Sequence, residues 1–438
     1  MKNLLLCSIC LLTVTAQAQT PTITGLLPTR NSVNAPRATA VTITTAQPID
    51  PVTITNVQVN SRVAGGKKAG TYTQSGNSII FTPTTAFQPG EKVQVSVPNT
   101  VKSLTNVGVP AQVYEFITAA PALGGGAFSP PATNAELIVA NGPRTVLMAD
   151  IDGDTDLDLV SANSGVQGDD VSTVNIYRNS GLNSGNFVAP TVGGRFDIDR
   201  GESAITLGDI DGDGDLDLVN ACNAGLVEVR RNDGVNSGNF TVPANKTTIP
   251  LVQTPGAVRL GDLDGDGDLD MLVNYQGGVG TISLRLNRGL NTGDFVAPAV
   301  GAELSAGGFF RMELGDIDSD GDLDILGLST TDVAYVLLNN GLNTARFVSG
   351  FSFQIEYPVY GMGLGDVTGD GRIDLVVNRW SPANVVEVWR NTGNRKFELH
   401  SSVGVAVRPV ELALGDVDGD GDLDVVVGNE DPALARRQ

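Results

Sequence analysis

Asp209-Ile210-Asp211-Gly212-Asp213-Gly214-Asp215-Leu216-Asp217 places five carboxylates at alternate positions of nine residues, and Leu218-Val219 follows at once. Carboxylates this dense repel one another unless a cation holds them. Oxygen-only donors in a flexible loop select a hard ion, and calcium takes six to eight such oxygens. In the pattern D-x-D-x-D-G-x-x-D, positions 1, 3, 5 and 9 offer side-chain oxygens and position 7 a backbone carbonyl. The small residue at position 6 lets the chain turn back around the ion in a conformation that glycine adopts without strain.

The pattern occurs six times. The first copy carries Asp150, Asp152, Asp154, Asp156 and Asp158. The third carries Asp262, Asp264, Asp266, Asp268 and Asp270, and the fourth Asp316, Asp318, Asp320, Asp322 and Asp324. The fifth has Asp366, Thr368, Asp370, Arg372 and Asp374 at the same places, and the sixth Asp416, Asp418, Asp420, Asp422 and Asp424. One such run is compatible with a solvated acidic turn; six in register argue for up to six calcium ions, one per loop. An EF-hand starts the same way but needs a glutamate at position 12 and helices on both sides. Here position 12 is Ser161, Asn220, Val273, Gly327, Val377 or Val427, and strand-forming residues surround it. The loops are expected to differ. Thr155 replaces glycine at position 6 of the first, which costs about 1–3 kcal/mol if the backbone stays left-handed. The fifth loses a carboxylate to Thr368 and gains a cation in Arg372, so it is expected to bind most weakly, although Arg372 still presents its backbone carbonyl.

A second signal travels with the first. Asn179-Ser180-Gly181-Leu182-Asn183-Ser184-Gly185-Asn186-Phe187 returns as Asn232 to Phe240, Asn287 to Phe295 and Asn339 to Phe347, and in shortened form as Asn391 to Phe397. Asn and Gly at this density mark a tight connection, and the phenylalanine re-enters the core. Each phenylalanine leads the next aspartate loop by a nearly fixed interval, and Phe128 leads Asp150 in the same way. The period of about fifty residues is the length of a four-stranded propeller blade. Four strands are expected per period. Strand a enters the aspartate loop (Ala204–Leu207) and strand b leaves it (Leu216–Ala221). Strand c precedes the Asn-Gly turn (Leu226 to Val229), and strand d follows the phenylalanine. An N-terminal d strand near Phe128, with a short strand c at Ala433–Arg437, would complete the last blade and remove its open edges. That favours six blades, with seven possible if the sequence is part of a longer chain.

These aspartate loops and phenylalanine-glycine turns resemble the FG-GAP/VCBS repeat family, the calcium-loop propellers that include the integrin α-subunit head. The resemblance spans Phe128 to about Gly428. It implies a β-propeller whose six loops carry the metal, and it leaves activity open, because the family includes adhesion proteins, carbohydrate-binding proteins and appendages to enzymes.

Residues 1–18 read as a signal peptide: Lys2, the apolar run Leu4 to Val14, then Ala16-Gln17-Ala18 before Gln19. The run is too short to span a membrane, and the expected location is secreted or cell-surface. Cys7 and Cys10 leave with it, so Cys222 remains alone and no intramolecular disulfide is expected. The formal charge is -21, but 28 of the acidic residues sit in the six loops, so the excess reflects metal sites more than a polyanionic surface. No nucleic-acid binding and no membrane insertion are expected.

Residues 20–119 differ in kind. They lack aspartate loops and show alternating runs at Ala40–Thr44, Val52–Ile54, Ser78–Phe81, Lys92–Val97 and Tyr114–Ile117. About seven short strands in a hundred residues suggest a β-sandwich. The order of elements resembles the bacterial Ig-like domain: a Pro-rich opening, Gln47-Pro48-Ile49-Asp50, Pro89-Gly90 before an alternating strand, and Tyr114-Glu115-Phe116-Ile117-Thr118 at the close. Such domains act as spacers. Residues 120–127, with Gly124-Gly125-Gly126, read as the linker, and 128–438 as the propeller. The whole is an all-β chain.

Strand order puts the aspartate loops and Asn-Gly turns on one end of the ring, and the b–c loops on the other. The second end varies between repeats, and recognition favours variable loops on a repeated scaffold. Tyr275, Arg379 and Trp380 are the candidate contacts there for an extracellular glycan or protein ligand. Catalysis finds little support. His400 is the only histidine, and Asp169, Asp170, Glu430 and Asp431 are the acids outside the loops from which a polysaccharide-cleaving pair would have to be drawn. The expectation is a calcium-binding adhesion module rather than an enzyme; the alternatives are a polysaccharide-active protein and a purely structural one.

Overall fold

Alternation of apolar and polar residues builds the N-terminal part. Val41 and Ile43 point inward from Val41–Thr45, Ile79 and Phe81 from Ser78–Pro83, and Val93 and Val95 from Lys92–Val97, all fully buried. The computed structural model describes residues 20–61, 66–119, 143–154, 157–163, 172–179, 187–190, 193–198, 204–222, 225–232, 238–240, 246–275, 280–287, 293–299, 301–305, 308–329, 331, 333–339, 345–356, 358–380, 382–415 and 422–429. Two four-stranded antiparallel sheets face each other across this core. One runs in the order Ile23–Leu27, Val41–Thr45, Ser78–Pro83, Gly70–Ser75; the other Gly66–Lys67, Gln58–Ser61, Lys92–Val97, Gln112–Ile117. Val52–Ile54, expected as a strand, is a turn leading into a 3-10 helix at Ile54–Asn56. Asp50 causes the change: its carboxylate accepts the Val52 N–H at 3.1 Å and its carbonyl the Thr53 N–H at 3.0 Å.

From Pro143 onward the sheets follow the expected period. The second blade has strand a at Ala204–Gly208, b at Asp217–Cys222, c at Leu226–Arg230 and d at Lys246–Pro250, hydrogen-bonded in that order. Five such sheets are described, followed by strands a (Pro409–Gly415) and b (Asp424–Asn429) of a sixth. Ala433–Arg437 and the strand near Phe128 lie outside the described residues, as do the signal segment and the linker. The d strand depends on proline. In blades four and five it is continuous over eight residues, Phe347–Gln354 and Phe397–Gly404. In blades one and three it breaks after Val188 and Val296, each followed by Ala-Pro, because proline has no N–H to offer the ladder.

Successive a strands stand side by side from the first blade to the sixth, which places them innermost. Close packing between blades explains the glycine before the second to fifth loops, Gly208, Gly261, Gly315 and Gly365. A Cβ on Gly208 would come within 2.8 Å of Leu260 and Leu269, and one on Gly261 within 3.0 Å of Leu314 and Leu323. Each of these four glycines is thus the socket for leucine or isoleucine side chains of the next blade. Ion pairs also join inner strands: Arg259 to Glu313 at 2.6 Å and Arg311 to Glu411 at 3.1 Å.

A buried asparagine links neighbouring blades at every described junction after the first blade. Asn287, at the end of strand c of blade three, gives its backbone N–H to Asp270 Oδ1 of its own loop at 2.8 Å. Its side-chain amide donates to the Ile210 carbonyl in the loop of blade two at 2.6 Å. Asn232, Asn339 and Asn391 repeat both bonds, their amides reaching Ile151, Leu263 and Ile317. The Asn that opens each of these four Asn-Gly turns is therefore a strap between adjacent aspartate loops. Replacing Asn287 by alanine leaves buried carbonyls unsatisfied, and a loss of about 1–3 kcal/mol is expected in urea denaturation.

Candidate metal centres

Each loop is first organised by its own backbone. Asp209 at position 1 accepts the N–H of Gly212 at 2.8 Å and of Gly214 at 3.1 Å. Asp366 does the same in the fifth loop with Asp370 at 3.0 Å and Gly371 at 2.7 Å. Position 5 braces the turn: Asp213, Asp266, Asp320 and Asp370 each accept the N–H of position 7 at 3.0–3.1 Å. Position 9 is buried and takes two further donors. Asp217 accepts Ile210 N–H at 3.0 Å and Asn232 N–H at 2.8 Å. This wrapping requires left-handed backbone at position 6 (Gly214, φ 103°) and equally at position 4 (Gly212, φ 74°; Ser319, φ 64°). The sequence pattern pointed to position 6 alone. The signal for position 4 was Gly153, Gly212, Gly265 and Gly369, which all stand there.

The wrapping brings carboxylates together. Three carboxylate oxygens lie within 4.8 Å of one another in each of four groups: Asp150, Asp152 and Asp158; Asp209, Asp211 and Asp217; Asp262, Asp264 and Asp270; Asp316, Asp318 and Asp320. The first three loops thus converge through positions 1, 3 and 9, the fourth through 1, 3 and 5. Asp154, Asp213 and Asp266 at position 5, and Asp215, Asp268 and Asp322 at position 7, stand outside the triads. In the fifth loop Asp370 is engaged by Arg390 at 2.9 Å and Arg372 at 3.4 Å, and no triad forms among its described residues. Asp156, Thr155, Asp416, Asp418 and Asp420 lie outside the described residues; of the loop-six acids, Asp422 and Asp424 are described. The donor set suits a hard divalent cation, whose oxygens at about 2.3–2.6 Å would sit at such mutual separations. Asp316 Oδ1 is buried without a hydrogen-bond partner, an acceptor that a cation would satisfy.

Burial, with neighbouring carboxylates adding to it, raises these acids. Asp158 and Asp209 are pushed up to about 7, and Asp217, Asp262 and Asp324 to about 8. Desolvation also carries Asp270 well above the ordinary carboxylate range. The folded pKa lies above the unfolded one, so the metal-free fold binds more protons than the unfolded chain. Its stabilising protons are held below the ordinary carboxylate pKa and lost as pH rises through about 7–8. A bound cation reverses this, because it needs the ionised ligands. In excess chelator the melting temperature should therefore fall between about pH 5.5 and 8, and calcium should abolish that fall; calorimetry with and without the metal measures both.

The opposite end of the ring corrects part of the expectation. Tyr275 is the last residue of a fully buried strand b, is 2% exposed, and donates its hydroxyl to Glu303 at 3.0 Å. Arg379 is locked between Glu387, at 2.6 Å, and Glu356. Neither is free to meet a ligand. Trp380 is half-buried, with its ring 5.1 Å from that of Tyr360 and 5.2 Å from the Arg408 guanidinium. Two residues of this corner, Asn384 (φ 48°) and Arg408 (φ 55°), are non-glycine residues in left-handed backbone, and Arg408 N–H donates to Asn384 Oδ1 at 3.0 Å. His400 is exposed in the outer strand of blade five. Asp169, Asp170, Glu430 and Asp431 lie outside the described residues.

The family model for the FG-GAP-like repeat matches residues 150–220, 209–273, 316–377 and 366–427, more than half of the chain. This chain belongs to the FG-GAP-like repeat family. Each matched segment runs from position 1 of one aspartate loop to about position 12 of the next, so the unit recognised is the interval between loops. The bacterial Ig-like domain model matches residues 17–118. No curated protein matches the chain. Among solved structures, this FG-GAP chain is similar to a protein from Lactobacillus plantarum at 14% identity, covering 86% of this chain and 89% of that one, with a TM-score of 0.45. It is also similar to BBS1N in complex with ARL6DN, soaked with mercury, at 15% identity over 69% and 78%, with a TM-score of 0.43. No helix among the described residues is long and apolar enough to cross a membrane.

Proposed function

We propose that this FG-GAP protein is an exported surface module, stiffened by calcium, that binds a glycan or a protein through the b–c loop face and performs no chemistry of its own. The observation that carries the reading is the partition between the two ends of the ring. At one end, carboxylate triads recur from blade to blade and are roped together by buried asparagines. They are cross-links of the scaffold, a role disulfides do not fill in a chain whose one described cysteine, Cys222, is a buried thiol. At the other end, Trp380 with Tyr360 and Arg408 offers an aromatic surface beside a cation, the chemistry that stacks on a sugar ring or seats a protein side chain. Trp380 Nε1 is buried without a hydrogen-bond partner, a donor a ligand hydroxyl could satisfy after a small ring movement. Tyr360 and Arg408 replace Tyr275 and Arg379 as its companions. The N-terminal segment that reads as a signal peptide and the pairing of FG-GAP repeats with an Ig-like domain support an extracellular location.

Two measurements test this. Removal of calcium should lower the melting temperature by roughly 10 °C or more, since each ion at a hundred times its Kd contributes about 2.7 kcal/mol. An unchanged melt after chelation, with no ion retained in equilibrium dialysis, overturns the calcium reading. On a glycan array and in pull-downs from surface extracts, Trp380→Ala should lose binding by about tenfold or more while its melting curve stays within a few degrees of the parent. Binding untouched by that substitution moves the site elsewhere.

A further inference from the structure

The Ig-like domain is seated on the aspartate-loop end of the ring. Val113 N–H donates to the carbonyl of Gly321, at position 6 of the fourth loop, at 2.8 Å. The Asn31 side chain donates to the Gly371 carbonyl, position 6 of the fifth, at 3.4 Å. Gly66 lies against the second loop with no room for a Cβ, which would meet Asp209 Cβ at 2.7 Å and the Gly214 carbonyl at 3.3 Å. A Cβ on Gly267 of the third loop would meet Gln58 Cγ at 3.3 Å. A sandwich that touches four successive loops is not a free spacer.

Cations show what the contact is for. In blades one, two and five the residue before the asparagine that opens the Asn-Gly turn is arginine, and it lies on a carboxylate of its own loop: Arg178 on Asp152 at 3.4 Å, Arg231 on Asp211 at 3.5 Å, Arg390 on Asp370 at 2.9 Å. In blades three and four that residue is Leu286 or Leu338. At those two loops the Ig-like domain brings the positive charge. Lys67 acts on Asp268 of the third loop, and Arg30 donates to Asp316 at position 1 of the fourth. A second contact holds Arg30 in place. Its Nη1 also donates to the Val113 carbonyl at 3.3 Å, and its side chain is 17% exposed against 3% for Asp316. Asp316 is a member of the fourth carboxylate triad.

We infer that the fourth loop is shared between the two domains: the Arg30 guanidinium occupies the place of a cation at Asp316, so calcium and the docked Ig-like domain compete for that loop. Filling the loop expels Arg30 and loosens the Ig-like domain from the ring. The remaining triads do not depend on Arg30 and bind calcium in either arrangement. This inference rests on the calcium reading of the loops.

The test compares the full chain with Arg30→Gln and Asp316→Asn, using calcium titration calorimetry and small-angle X-ray scattering with and without calcium, after circular dichroism confirms the β fold of each. Arg30→Gln should strengthen one calcium site by about tenfold and leave the other sites as they are. Asp316→Asn should remove that site. In chelator both variants should show a larger maximum dimension than the parent, and calcium should expand the parent toward theirs. If the parent and Arg30→Gln bind calcium with the same affinities and number of sites, or the parent keeps its dimensions on saturation, the competition is refuted while the calcium reading stands. If no form binds calcium, the calcium reading itself fails. Should Arg30→Gln not fold, Arg30→Lys, which keeps the charge but not the planar fork, must still raise the affinity of one site; an unchanged isotherm refutes the competition.

Discussion

Carboxylates crowded into a buried turn govern this molecule. Three of them converge within 4.8 Å in loop after loop, and burial is the main force that lifts several of them to about 7 or 8. The chain meets that repulsion in layers. Backbone N–H groups from positions 2, 4, 6 and 7 turn inward toward the acids. Arginines approach from the end of strand c. What these leave uncompensated is the charge a divalent ion would carry. The left-handed glycines at positions 4 and 6 follow from the same need, because that backbone points successive N–H groups at one carboxylate.

The loops also organise the ring. The acid at position 9 fixes the first N–H of the Asn-Gly turn, and that asparagine reaches back to the preceding loop. A change in one loop is thereby felt by the next blade. Just inside, the glycine before the second to fifth loops receives leucine or isoleucine side chains of the following blade, so acids, turn and apolar packing meet within a few residues. Cooperative loss of several blades together is the natural consequence of such shared parts.

The two ends of the ring carry different burdens. The aspartate end is largely occupied, by its internal bonds and by the Ig-like sandwich resting on loops two to five. A 420 Å³ cavity remains between the sandwich and the inner strands; four of its charged residues are paired, Lys92 with Glu115 at 2.7 Å and Arg259 with Glu313 at 2.6 Å, and Asp209 of the second loop completes its charged lining. The b–c end keeps an aromatic ring half-buried in a corner built on two left-handed non-glycine residues, and such local strain is commonly retained where a surface is used.

The sequence by itself determined the repeat, the strand order within each blade and the identity of the acids in the loops, because those features are local. Alternation, turn residues and carboxylate spacing act over ten residues or fewer, and each recurs often enough to be read without knowing its neighbours. The period also located the strapping asparagine, though not its partner, since Asn287 and Ile210 are 77 residues apart. Only the tertiary structure decided which candidate side chains are already engaged within the fold. Tyr275 and Arg379 look like Trp380 in the chain, but a strand buried on both faces takes the first, and Glu387 with Glu356 takes the second. It also decided that Arg30 meets Asp316 across 286 positions. Charge pairing between domains depends on how two finished surfaces meet, and no periodicity within either one encodes it.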